Sequence, residues 1–110
     1  MHEIRMQRCD DCGYIRFPES FACPECLSRA TSWATLSGEG TVETFVWYLR
    51  HLEPHNPPLP EPPYNVAVIR LAEGPALISN VVDVAFGELA VGDAVRAAED
   101  PDVLRFTPAR

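Results

Sequence analysis

Two cysteine pairs, Cys9-Asp10-Asp11-Cys12 and Cys23-Pro24-Glu25-Cys26, are the residues of this chain whose types and spacing could do chemistry, and no other cysteine occurs in its 110 residues. A Cys-x-x-Cys turn brings two sulfurs to one side of a short knuckle. Two knuckles separated by a short connection supply the four thiolates of a tetrahedral Zn²⁺ site. Such a site is closed. With every coordination position filled there is no place for an activated water or a substrate oxygen, so the ion organises the fold and does no chemistry. Other fates of the cysteines fit less well. Disulfides need an oxidising compartment, yet Met1 to Arg8 contains no apolar segment that could act as a secretory signal. A redox Cys-x-x-Cys occurs once, at the start of a helix, whereas here it occurs twice beside proline and glycine. Four thiolates would also hold iron, as in rubredoxin.

The rest of the chain offers little to a catalyst. There is no lysine for a Schiff base, and no cysteine outside the two pairs. His51 and His55 are four apart, but the prolines around them forbid the helix that would align them, so they are assigned no ligand role. Tyr14, Tyr48 and Tyr64 carry hydroxyls, which are better explained by packing with the hydroxyl at a rim. Catalysis by this chain alone is not expected.

The elements that must position the cysteines follow from pattern. Residues 1–36 read as a zinc ribbon, with Gly13 after the first pair and Tyr14 to Pro18 as one hairpin arm. So short a segment cannot bury a core, and the metal substitutes for one. From Ser37 the pattern is all-β, with strands expected at Thr41 to Leu49, Tyr64 to Leu71, Ala76 to Val84, Val91 to Ala97 and Val103 to Thr107. Five strands in about 70 residues predict a small, closed or nearly closed barrel over 37–110. Val84 to Ala90 holds at most one helical turn. Six of the ten residues from Pro54 to Pro63 are proline, which makes this connection a stiff extended loop and a candidate binding loop.

Charge narrows the partners. The formal net charge is −7, and all nine basic residues are arginine. A zinc tetrathiolate adds about two more negative charges. Residues 36–110 hold five arginines and eleven acids, which disfavours tracking a phosphate backbone. No stretch approaches the roughly twenty apolar residues of a membrane helix. A soluble, cytoplasmic protein is expected.

Taken in order, Cys9-Asp10-Asp11-Cys12-Gly13, Phe17-Pro18, Cys23-Pro24-Glu25-Cys26, Ser37-Gly38-Glu39-Gly40-Thr41-Val42, Pro63-Tyr64-Asn65-Val66-Ala67-Val68, Glu73-Gly74-Pro75, Asn80-Val81-Val82 and Val91-Gly92-Asp93 resemble one family. It is the bacterial and archaeal family that joins a rubredoxin-like zinc ribbon to an OB-fold, long designated a domain of unknown function. The resemblance covers nearly the whole chain. It implies a non-catalytic accessory subunit of thiolase-like enzymes, including lipid-transfer-protein aldolases, and of hydratases acting on acyl-CoA. In steroid catabolism such a domain is similar to the C-terminal part of an enoyl-CoA hydratase subunit and pairs with a retro-aldolase. Family members often begin with an extra helix, whereas this chain reaches Cys9 almost at once, which suggests a domain cut from a longer fusion.

On this reading Cys9, Cys12, Cys23 and Cys26 hold the zinc. Partner contacts are expected at Phe17, Trp47, Tyr48 and the Pro54 to Pro63 loop, because aromatic residues anchor interfaces. Arg16, Arg29 and Arg50 are the candidates for CoA phosphates, through bidentate contacts. The competing classes are a nucleic-acid module, since ribbons and OB-folds both bind DNA or RNA, and a metal-stabilised scaffold without a ligand.

Overall fold

The computed structural model describes residues 4–17, 19–50, 61–98 and 104–109. The connection from His51 to Pro60, Pro18 and Val103 lie outside the described residues. What is described is all-β, in two sheets.

The first sheet has the order β2-β1-β3, made by Ile4–Cys9 (β1), Ile15–Arg16 (β2) and Thr31–Leu36 (β3). β1 pairs antiparallel with both neighbours, from Ile4 opposite Leu36 to Cys9 opposite Thr31. The hairpin arm expected at Tyr14 to Pro18 is the two-residue β2. The strands β1 and β3 go beyond what the sequence pattern announces. Their apolar members join the barrel core: Ile4, Met6 and Leu36 are buried in the same cluster as barrel residues Val42, Ile69, Leu77, Val95 and Phe106. The ribbon therefore has an apolar base as well as its four cysteines.

The second sheet has the order β6-β5-β4-β7-β8, from Glu39–Tyr48 (β4), Tyr64–Leu71 (β5), Ala76–Ser79 (β6), Ala94–Ala97 (β7) and Phe106–Pro108 (β8). All four pairings are antiparallel. A parallel bridge between Val81 and Phe106 closes the barrel, with Val82 N donating to Phe106 O at 2.7 Å and Phe106 N donating to Asn80 O at 2.9 Å. This is the five-stranded OB barrel.

Two local devices keep the barrel in register. The pairing of β4 with β5 shifts between Val42 and Thr44, and this bulge lets Val42 and Phe45 both face inward although they are three apart. Gly40 lies where a Cβ would stand 2.7 Å from Arg70 O and 2.9 Å from Ile69 Cγ2, so only glycine permits the close approach of β5.

Three strands end or begin at other residues than the pattern suggests. β6 stops at Ser79, because Asn80 and Val81 turn to close the barrel and Asp83 follows at a φ of 58°. β7 begins at Ala94, because Val91 and Gly92 form a turn in which Gly92 has a φ of 94° and Asp93 Oδ2 accepts from Ala90 N at 2.9 Å. β4 ends at Tyr48, leaving Leu49 exposed beyond it.

Candidate functional site

Strand β1 delivers Cys9 and a tight turn delivers Cys12, with Cys9 N donating to Tyr14 O at 2.9 Å. The second knuckle is closed by Cys23 N donating to Ser28 O at 2.8 Å. Side chains tie the first knuckle to β3 and to the second knuckle: Ser32 Oγ donates to Asp10 Oδ1 at 2.7 Å and Ser28 Oγ donates to Asp11 Oδ2. The four Sγ atoms lie within 4.8 Å of one another, with Cys9 to Cys26 at 3.5 Å and Cys12 to Cys23 at 3.6 Å. A tetrahedron of sulfurs about 2.3 Å from a central Zn²⁺ has edges of ~3.8 Å, so the four cysteines are positioned to bind a metal.

Their protons tell the same story. The Cys12 backbone N–H does most to hold the Cys9 thiol down, to about 6, against the effect of burial and with help from the Asp11 N–H and the Cys26 and Cys12 thiols. At Cys26 the Ser28 N–H pulls downward too, yet the Cys9 thiol, burial and the two remaining thiols push it up to about 12. Four thiolates this close cannot all ionise without a cation among them, so metal uptake releases protons.

The other candidates fall into separate places. Arg16 is buried, at 4% exposure. Its Nε donates to Gln7 Oε1 at 2.8 Å and its Nη2 to Ser20 O at 3.3 Å, while Ser20 N donates to the same Gln7 oxygen at 2.8 Å. This clamp fixes the path into the second knuckle and commits most of the guanidinium. Arg16 and the exposed Phe17 line one wall of a cleft of about 340 Å³ between ribbon and barrel, and Arg70, Glu73 and Pro75 line the other. Arg29 is at the second knuckle, its guanidinium 4.6 Å from the centroid of the Phe21 ring.

Trp47, Tyr48 and Arg50 are at or just past the opposite end of β4, Trp47 and Tyr48 roughly 25–30 Å along the strand from its ribbon-proximal start. Trp47 points inward and meets Phe86 edge-on, with centroids 5.2 Å apart. Tyr48 points outward and stacks on the buried Tyr64 at 5.3 Å. Arg50 is exposed just past the strand. The six candidates thus do not form one site.

Sequence reasoning missed a surface. Val46 opposite Val66, and Val68 opposite both Thr44 and Ile78, share the outer face of β4, β5 and β6. Val46 and Ile78 are largely exposed, so this face of the sheet presents large apolar side chains to solvent. The signal was the near-continuous apolar run of β5, which suits a strand covered on both faces.

A four-cysteine knuckle pair on a small sheet, continuous with an OB barrel, defines a two-part all-β protein, a zinc-ribbon fold joined to an OB-fold. Family comparison makes the assignment. Residues 2–32 match the model described as the ChsH2 rubredoxin-like zinc ribbon domain, and residues 33–99 match the ChsH2 C-terminal OB-fold domain. The chain belongs to this ChsH2 family, also known as DUF35.

Among its relatives is a probable enoyl-CoA hydratase alpha subunit of Thermomonospora curvata, 36% identical over 79% of this chain and 26% of that protein. A DUF35 domain-containing scaffold protein of Methanothermobacter thermautotrophicus is 30% identical over 86% of this chain and 69% of that one. The chain thus spans about a quarter of the hydratase-type relative. Among solved structures, a chain of the Ltp2-ChsH2(DUF35) aldolase matches with a TM-score of 0.80 and 32% identity, over 98% of this chain and 86% of that one. A DUF35-family protein of Sulfolobus solfataricus, at 18% identity and a TM-score of 0.68 over 97% of this chain and 76% of that one, shares the fold.

Proposed function

We propose that this chain is the non-catalytic accessory subunit or domain of a thiolase-like acyl-CoA enzyme of the lipid-transfer-protein type, and works in the cytoplasm. The enzyme is an aldolase that cleaves a CoA-linked steroid side chain, or a related thiolase or acyltransferase. The chain stabilises this partner and lines the way in for the acyl-CoA, with an enoyl-CoA hydratase as a further partner or fusion. The observation that carries this reading is the likeness to the aldolase chain, 32% identical across 98% of the residues. The hydratase name of one relative and the scaffold name of another support it.

In this assignment the ion is zinc, held by Cys9, Cys12, Cys23 and Cys26, and its role is structural. The ribbon over 1–36 and the barrel over 37–110 both contribute contacts. Phe17, Tyr48 and the rim of Trp47 meet the partner, and the exposed Arg29 and Arg50 are better placed for CoA phosphates than the clamped Arg16.

The test is affinity capture of the tagged chain from its native lysate, with identification of what co-purifies and assay of the eluate for acyl-CoA cleavage. A thiolase-like enzyme with activity is expected. Ribosomal or polymerase components, or nuclease-sensitive material, would contradict the proposal.

A further inference from the structure

The two knuckles are built alike. In each, the N–H of the residue after the second cysteine donates to the carbonyl of the first: Gly13 N to Cys9 O at 2.9 Å, and Leu27 N to Cys23 O at 2.8 Å. In each, that residue has a positive φ, 82° at Gly13 and 65° at Leu27. Glycine adopts this conformation freely, whereas leucine is strained in it because its Cβ crowds the following carbonyl. The first knuckle has the residue its geometry calls for, and the second does not.

The fold gains nothing visible from the leucine. Leu27 is 78% exposed and takes no part in the apolar core. Just before the same knuckle, Phe21 is 76% exposed, with the exposed Arg29 guanidinium over its ring. A strained backbone that displays a large apolar side chain to water is a combination that functional sites retain.

We propose that the second knuckle is the anchor by which this chain docks on its enzyme partner. Leu27 enters an apolar pocket of that protein, and Phe21 with Arg29 forms the rim, where the guanidinium meets a carbonyl or carboxylate oxygen. A second copy of the chain is the wrong occupant. Two such side chains offer on the order of 300 Å², whereas stable association takes about 800 Å² from each partner, so contact between two knuckles would not hold. The leucine belongs in a larger interface, and the proposal rests on the accessory-subunit reading above for the identity of that partner.

Leu27→Gly tests it, because this change relieves the backbone while removing the knob. The probe is the thiolase-like enzyme captured by the wild-type chain, with affinity measured by titration calorimetry and Tm measured on the zinc-loaded chain. Leu27→Gly should keep its zinc, raise Tm by about 2–5 °C and weaken binding at least tenfold. Leu27→Ala, which retains the strain, should bind as weakly without the gain in Tm. A lowered Tm for Leu27→Gly would mean that the leucine serves the fold, and overturns the proposal. Wild-type affinity in Leu27→Gly overturns the proposal alone, whereas a wild-type chain that engages no such enzyme overturns the accessory-subunit reading and this proposal with it.

Discussion

Cys9 and Cys23 are the buried members of the tetrad, and each is paired with an exposed cysteine of the opposite knuckle. Replacing either by serine should abolish metal retention and unfold the ribbon, since binding of a structural zinc is itself folding free energy. Metal content and the near-ultraviolet circular dichroism of the variant check this, and a folded, zinc-loaded Cys23→Ser would contradict it. Away from the cysteines, the residue that organises the barrel closure is Asn65. Its Nδ2 donates to Val81 O at 2.8 Å and its Oδ1 accepts from Val81 N at 2.8 Å, so one side chain imitates a strand pairing across the closure. Asn65→Ala should cost about 2–3 kcal/mol by stranding buried backbone groups, seen as a lower urea midpoint with unchanged slope. The tetrad was legible in the sequence because knuckle spacing is a local property. Asn65 was not, because its partners are sixteen residues away and an asparagine in an apolar run announces no partner by itself.

At the scale of elements, β4 is the spine: it pairs with both β5 and β7 and carries the bulge and the glycine that let the barrel curve. Gly40→Ala would put a methyl against backbone, which cannot give way as a flexible side chain could. A loss of about 1–3 kcal/mol is expected, measurable as a depressed Tm, and a neutral Gly40→Ala would show that the two strands separate more easily than their geometry implies. The barrel strands could be read from their β-branched and aromatic runs, and their ends shifted where Gly92 and Asn80 redirect the chain. Strand β1 hid itself. Ile4, Met6 and Cys9 stand among arginines and a glutamine in a segment too short to show a period, and the residues that bury Ile4 and Met6 come from the barrel, far along the chain.

For the whole molecule the question is how ribbon and barrel are held as one. Ile4, Met6 and Leu36 supply the apolar part. Glu73, in the turn after β5, supplies a polar part by accepting from Ser37 N at 2.8 Å between β3 and β4. Burial pushes the Glu73 carboxyl up, but the hydrogen bonds from the Ser37 N–H and hydroxyl outweigh it, and the net shift is below the ordinary value of 4.5. A carboxyl with a lowered folded-state pKa adds stability above its unfolded value and loses it as pH falls through the folded one. Glu73→Gln should therefore be less stable than wild type near pH 6, with the difference vanishing as pH drops well below 4.5. Denaturation midpoints across that range check the sign, and a gap that widens on acidification would refute it.

The accessory role itself is tested most directly by the acyl-CoA cleavage rate and solubility of the captured thiolase-like enzyme, measured with and without this chain. The enzyme should be stable and active only in the complex, and the chain alone should show no turnover. Turnover by the isolated chain, or an enzyme indifferent to its presence, would contradict the assignment.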